Sequence, residues 1–515
     1  MSKPLSTNAF DNLCWNSNKI TSPCQDACPL GTDAAGYIMA TMMGEYDEAF
    51  RIISEKNPLP AVSSRICHHP CENQCSRGKI DQPIAIRALK RFAVENASEK
   101  VRRALPDVKK DSGKKVAVIG SGPAGLAAAY DLSVMGHRVS IFEKHDRPGG
   151  LLALALPSFI LPLEVLEEDL VRIRALGVRF ETGIEIKGAA AIRNLFDIGY
   201  SAVLLATGAH DSVILKSTDY ALPNVISGLS FLMKANEQAR AKMSGRALII
   251  GGGNVAIDSA RVCVRKGADQ VDIYCIEKQD EMPAFEWEKS RACIEDIHFH
   301  YEFSLIGTKR NKDGSLTCRF AHVKRISKDN NGALNPVIDK QKTVETVADH
   351  LIIAAGQRIN KDNYQGLPIT QSPISSIDIG SNCMVKDFPG LFAAGDLAVL
   401  PGTLVNSIAG GKKAAAAING FLDGNNSYHS ISPRSNRQLL DNMPENLLAV
   451  FPKRERHKIP ELSYKSAKTS FKEVEKTFGS SAAKGESARC LNCAVCGNCI
   501  YEREQICLQT GSRLF

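Results

Sequence analysis

The chain has 515 residues, with 64 Lys and Arg against 56 Asp and Glu and a formal charge of +8. That length exceeds a single hydrophobic core and predicts several domains. The mild basic excess reads as solvated surface and argues against a nucleic-acid partner, and no run approaches the roughly 18 apolar residues of a membrane span. The opening Met1-Ser2-Lys3-Pro4 lacks an apolar signal core, so a cytoplasmic location is expected.

Eleven of the 16 cysteines crowd the two ends. Cys14, Cys24, Cys28, Cys67, Cys71 and Cys75 lie near the start; Cys490, Cys493, Cys496, Cys499 and Cys507 lie near the finish. In a cytosolic chain such crowding predicts metal ligation rather than disulfides. Cys263, Cys275, Cys293, Cys318 and Cys383 are scattered and expected as small buried hydrophobes. Residues 33 to 56 predict two short amphipathic helices, and Pro83 to Asn96 predicts another, capped by Asp81. Residues 1–112 thus form a small helical domain of modest apolar content, in which bound metal supplies part of the folding energy.

From Lys115 the pattern changes to short apolar runs alternating with helices, the mark of parallel α/β units. Val116-Ala117-Val118-Ile119 is a buried strand running into Gly120-Ser121-Gly122-Pro123-Ala124-Gly125. In this fingerprint Gly120 permits the turn, Gly122 lets backbone approach a pyrophosphate, and Gly125 lets helix pack on strand. Glu143 ends the next strand, where a carboxylate can hold both ribose hydroxyls. Gly150, Leu151, Thr207 and Gly208 complete the expected first site.

Arg246 to Ile250 repeats the arrangement before Gly251-Gly252-Gly253-Asn254-Val255-Ala256, and a strand over Val271 to Glu277 follows. A coenzyme with a 2′-phosphate calls for arginine at that strand's end, and a free ribose diol calls for an acid. Glu277 therefore predicts NADH rather than NADPH, with Lys278 next to it. Downstream, Gly356 joins the second site, and the strand ending in Ala394-Gly395-Asp396 returns to the first. Asp396 would bond the flavin's ribityl or phosphate region and the Thr403 turn would face its ring, making the first cofactor FAD. The expected divisions are 113–240 and 350–424 for the FAD domain and 241–349 for the NAD domain. An extended linker over 425–485 and a metal-binding segment over 486–515 follow. The spacing Cys490-x2-Cys493-x2-Cys496-x2-Cys499 fits a [4Fe–4S] centre of its own, completed by Cys499 or Cys507.

The segments Cys24 to Pro29, Ile66 to Glu72, both fingerprints, Glu281-Met282-Pro283-Ala284, Ala354 to Gln357 and Ala394-Gly395-Asp396 occur in one order. In that ordered set the chain resembles the small subunit of glutamate synthase and its relatives. These include the large subunit of NADH-dependent ferredoxin:NADP oxidoreductase and the N-terminal half of dihydropyrimidine dehydrogenase. The resemblance implies FAD placed between a nicotinamide site and iron–sulfur clusters. It also implies two N-terminal [4Fe–4S] clusters, whose second cysteine run is kept whole as Cys67, Cys71 and Cys75. The first run keeps Cys24 and Cys28, with only Cys14 upstream. Lys90 stands where relatives place a Glu or Gln ligand, and Ser63 where some have an extra cysteine. Six thiolates cannot fill eight positions, so one or two N-terminal clusters are expected, with zinc as the alternative. The disulfide reductases share the layout but need a redox cysteine pair beside the flavin, and Leu151 to Ile160 contains none.

The expectation is an α/β protein of two dinucleotide-binding, Rossmann-like domains, with an N-terminal α-helical iron–sulfur domain and a short C-terminal iron–sulfur segment. NADH would deliver hydride to FAD, and single electrons would pass through the clusters to another oxidoreductase subunit or to ferredoxin. No acid–base or nucleophile constellation is seen, so no catalytic residue is assigned. A stand-alone NAD(P)H:ferredoxin reductase and a non-catalytic scaffold are the alternatives.

Overall fold

The computed structural model describes residues 21–238, 240–328, 334–370, 376–398, 402–424 and 451–493, with backbone alone at 499–500 and 506–507. The chain divides into two compact units. Unit one comprises Met1–Leu105, Ser427–Pro460 and Thr477–Phe515; unit two comprises Pro106–Asn426 and Glu461–Lys476.

Unit one is helical. Asp33 caps helix Ala34–Met43 by accepting from the Gly36 N–H at 2.9 Å, and Gly44 ends it at φ +87°. Helices Tyr46–Lys56, Pro60–Ile66 and Ile86–Asn96 follow. Ile38, Phe50, Ile53, Leu59, Val62, Ile84, Leu89 and Phe92 are all buried, so the domain has a more substantial core than its sequence suggested. Asp81 does not cap the last of these helices: the helix begins at Ile86 after Ala85, without a side-chain cap. Its carboxylate is taken instead by two guanidinium groups, Arg77 and Arg489. The tail helix Ser480–Ser487 packs on Ala34–Met43, so the segment set apart in the sequence shares a unit with the N-terminal helices.

Unit two holds two parallel five-stranded sheets that share the order of four strands and differ in one edge strand, which comes last in the chain in the first sheet and first in the second. In the first, strands Leu391–Ala393, Ala202–Leu205, Lys115–Ile119, Arg138–Glu143 and Arg179–Thr182 lie side by side. The second runs Val225–Ser227, His350–Ile353, Arg246–Ile250, Gln270–Tyr274 and His298–His300. In each, the central strand is an apolar run covered on both faces and leads into a glycine turn. Helix Leu404–Leu422 crosses helix Pro123–Val134 so closely that a Cβ on Gly411 would meet the Ala124 carbonyl at 2.1 Å.

Three further findings depart from the sequence reading. The strand expected over 271–277 ends at Tyr274. Cys293 is exposed, whereas Cys263, Cys275, Cys318 and Cys383 are buried as expected. Within the expected linker, residues 461–476 are anchored on unit two: helix Tyr464–Thr469 packs on helix Asn254–Lys266, and the Phe471 ring lies 6.1 Å from that of Phe159. Arg291 pairs there with Glu475 at 2.8 Å and with Glu461.

Candidate functional site

The first glycine turn is built for close approach. Gly120 has φ +102°, and a Cβ on it would stand 2.5 Å from the Ala206 carbonyl. A Cβ on Gly125 would stand 2.0 Å from the Gly120 carbonyl, so helix and strand meet only with glycine there. Around Gly122 nothing lies within 4 Å of where a Cβ would be, and Gly122 precedes Pro123 and the buried Ala124 at the start of the helix. Free N–H groups at a helix start and open space beside a glycine suit a diphosphate.

The remaining residues of the expected flavin site gather round this turn. Glu143 accepts from the Ser121 N–H at 3.0 Å and its hydroxyl at 2.5 Å, and from the His145 N–H at 3.0 Å. The Ser121 hydroxyl in turn accepts from the Gly149 N–H at 2.9 Å, and a Cβ on Gly150 would stand 2.9 Å from Gly122 Cα. Leu151 opens the helix Leu151–Leu154 and packs on the core of the second nucleotide domain. Thr207 shares a 2.5 Å hydrogen bond with Tyr364, and Gly208 turns at φ +69°. Gly395 is seated against Ala124, and Asp396 accepts from the Gly402 N–H at 3.1 Å. Burial raises the Asp396 carboxyl above its ordinary pKa. Thr403 precedes helix Leu404–Leu422 without capping it, and its buried hydroxyl has no hydrogen-bond partner. A buried, orphaned hydroxyl marks a place for a polar ligand.

The second turn copies the first. Gly251 has φ +138°, and a Cβ on it would meet the Ala354 carbonyl at 2.2 Å. Gly253 has open space, and Ala256 is fully buried. Val255 lies against Gly228, Asn254 accepts from the Phe285 N–H at 3.0 Å, and Gly356 turns at φ +118°. The register of the two sheets is equivalent: Gly120 N–H donates to the Phe142 carbonyl and Gly251 N–H to that of Tyr274. The counterpart of Glu143 is therefore Cys275, a buried thiol pushed up to about 12 by burial. Glu277, two residues on, reaches back over the turn, and its Oε2 would be 2.7 Å from a Cβ on Gly252. That oxygen is buried without a partner, and burial raises the carboxyl's pKa. Lys278 turns to Glu281, 3.8 Å away, on the surface.

In unit one the described cysteines fall into two groups that cut across the runs read in the sequence. Cys24, Cys75, Cys490 and Cys493 line one cavity with Ile38 and Ile84. Burial pushes Cys24 up to about 12, and neighbouring Cys75 and Cys493 add to the shift. Burial likewise raises Cys490, with Cys493, Cys24 and Cys75 adding to it. At Cys75 the main-chain N–H groups of Ile84, Arg77 and Gly78 oppose burial by favouring the thiolate. The other group surrounds Cys71, whose thiol is raised by burial and then by Cys67, Glu72, Cys28 and, least, by Cys24 of the first group. Lys90 is buried with its ammonium 3.4 Å from the Ser63 hydroxyl. No group of three or more His, Cys, Asp or Glu side chains among the described residues is set to hold a single metal ion. Cys499 and Cys507 are backbone partners in a two-stranded ladder, and Cys14 and Cys496 lie outside the described residues. Sequence reasoning missed both Cys275 and the union of the two cysteine runs; only strand register and tertiary contact reveal them.

Twin turns of this geometry in one unit define a two-dinucleotide oxidoreductase fold. Residues 114–411 match the pyridine nucleotide-disulphide oxidoreductase family, and residues 12–102 match dihydropyrimidine dehydrogenase domain II, 4Fe-4S cluster. The chain belongs to this family, as an NAD(P)H-dependent FAD and iron–sulfur oxidoreductase. It is 31% identical to the NADP(+)-dependent formate dehydrogenase subunit beta of Moorella thermoacetica, over 92% of this chain and 71% of that protein. It is 30% identical to the NADPH-Fe(3+) oxidoreductase subunit beta of Geobacter sulfurreducens, over 92% and 75%. It is 32% identical to the NAD-dependent dihydropyrimidine dehydrogenase subunit PreT of Escherichia coli O157:H7, over 78% and 92%. Among solved structures, FprA from Mycobacterium tuberculosis in complex with NADPH shares the fold at a TM-score of 0.53 and 16% identity, covering 73% of this chain and 99% of its own. No helix among the described residues is long and apolar enough to cross a membrane.

Proposed function

We propose that this chain is the NADH-oxidising, electron-distributing subunit of a larger oxidoreductase. The observation that carries the reading is a pair of buried polar atoms without a partner: Thr403 Oγ1, at the start of the helix packed on the one that follows the first glycine turn, and Glu277 Oε2, over the second turn. Bound FAD would supply the chemistry, accepting hydride and releasing electrons singly. The protein's task is placement. Helix N–H groups after Gly122 hold diphosphate, Glu143 takes the ribose hydroxyls, and Asp396 and Thr403 fix the flavin end. Glu277 accepts from the diol of a nicotinamide coenzyme's ribose, and a 2′-phosphate there would face a buried carboxylate. The relatives' names carry both coenzymes, so the preference for NADH rests on Glu277. Thiols of unit one provide the metal ligands through which electrons leave.

Two of these relatives are beta subunits and the third is a dehydrogenase subunit, which supports a partner chain bearing the final substrate site. Anaerobic addition of NADH to the purified protein should bleach its flavin absorbance in seconds, with NADPH at least tenfold less effective. A flavin that NADH leaves oxidised would overturn the proposal. A ferredoxin reduced without any added subunit would favour a stand-alone reductase instead.

A further inference from the structure

The cavity shared by the two ends of the chain goes beyond a general iron–sulfur assignment. Cys24 and Cys75 come from the N-terminal segment, whereas Cys490 and Cys493 come from the tail. Their meeting is held by a buried charge network. Arg489, immediately before Cys490, is 1% exposed. Its guanidinium donates to Asp81 at 2.8 Å, to the Gln82 carbonyl at 2.6 Å and to Glu486 at 2.7 Å. Glu486 in turn accepts from the Ala85 N–H at 2.9 Å, and Arg77 reaches the Pro452 carbonyl at 2.7 Å. Such a set of satisfied buried charges specifies one docking position for the tail.

The thiol surroundings fit a cluster. Asn492, at φ +49°, aims its N–H at Cys490 Sγ over 3.4 Å. In the other cysteine group His69, at φ +45°, aims its N–H at Cys67 Sγ over 3.3 Å. In both cases a non-glycine residue two positions after the cysteine takes the left-handed conformation, and N–H donors to sulfur are a means of tuning clusters. The thiols line one cavity, and among the described residues no three are set to hold a single ion, whereas zinc needs four donors within about 2.3 Å of one centre. A cubane of iron and sulfide stands between its ligands instead.

We propose that Cys24, Cys75, Cys490 and Cys493 are the four ligands of one [4Fe–4S] cluster, closed by the two ends of the chain. It rests on the reading of unit one as an iron–sulfur carrier. The two tail cysteines then fill the places left by the short N-terminal run, and no separate cluster is built from Cys490 to Cys499. Transfer of a preformed [4Fe–4S]2+ core forms four Fe–S bonds, sends four thiol protons to the departing donor ligands and solvent, and changes no oxidation state.

The test uses the full chain purified anaerobically. Cys24→Ala, Cys490→Ala and Cys493→Ala should each remove the same cluster, about four irons, and the same electron paramagnetic resonance signal of the reduced protein. The double variant Cys24→Ala/Cys490→Ala should lose no more than either single, and Cys496→Ala and Cys499→Ala should lose nothing from that signal. Additive losses, zinc in place of iron, or loss on Cys496→Ala without loss on Cys24→Ala would overturn the inference. Limited proteolysis of unit one controls for folding of the variants. In the unmutated protein, iodoacetamide with mass spectrometry offers a check free of folding effects. Chelation should expose the four thiols together; exposure of Cys24 with Cys75 at a different stage from Cys490 with Cys493 would overturn the assignment. Iron held elsewhere but not by the tail defeats this inference alone, whereas protein without iron defeats the functional reading too.

Discussion

The two units place their functional groups in opposite ways. In unit two each nucleotide site starts from one contiguous strand–turn–helix, with Gly120 to Gly125 or Gly251 to Ala256 fixed by sterics within a few residues. In unit one, residues 24 and 75 meet residues 490 and 493 through long-range contacts, among them Arg489 clamped between Asp81 and Glu486. A local site carries its own geometry. A site assembled from distant segments inherits its geometry from whatever pins those segments, here a buried ion network.

The largest effect that would break this contrast is Arg489→Met. Removing one partner of a buried ion pair costs about 3–5 kcal/mol, so unit one should lose stability and iron while flavin content stays near normal. Limited proteolysis with iron and flavin assays reads this, and coordinate loss of flavin would show that the two units are not independently organised. Gly125→Ala is the converse. Its Cβ would press on the Gly120 carbonyl, at a cost of about 1–3 kcal/mol, and flavin should be lost while iron remains.

A smaller effect sharpens the comparison within unit two. Glu277→Arg should move coenzyme preference toward NADPH by about tenfold, or about 1.4 kcal/mol, measured as the ratio of kcat/KM values. An unchanged ratio would remove Glu277 from the ribose site. The smallest is a pH dependence. Burial raises the Glu277 pKa, and its ionised form is the one that accepts both diol hydroxyls. NADH affinity should therefore be greatest above that raised pKa and weaken as pH falls through it, and Glu277→Gln should flatten the profile.

The nucleotide turns were legible because their constraints are local: positive φ, forbidden Cβ positions and apolar parallel strands all leave marks in adjacent residues. Glu277 was found as an acid near the second turn, but its place relative to the strand was not, because register is set by hydrogen bonding to Arg246–Ile250. Asp81 looked like a helix cap because a carboxylate before a helix has the same sequence whether it meets N–H groups or guanidinium. Polar composition, and Pro433, Pro444, Pro452 and Pro460 ahead of it, made 461–476 read as part of a linker, although Phe471 and Val474 are apolar anchors that hold it. Spacing within each cysteine run suggested one centre per run; nothing short of the tertiary contact joins Cys75 to Cys490.

The location of Arg489 and Cys490 against residues made more than four hundred positions earlier has a bearing on biogenesis. During translation both dinucleotide domains emerge before the last two thiols of that cavity exist. Delivery of a metal cofactor there would consequently report that the intervening polypeptide has been synthesised, and premature termination products would leave two early cysteines unable to retain it.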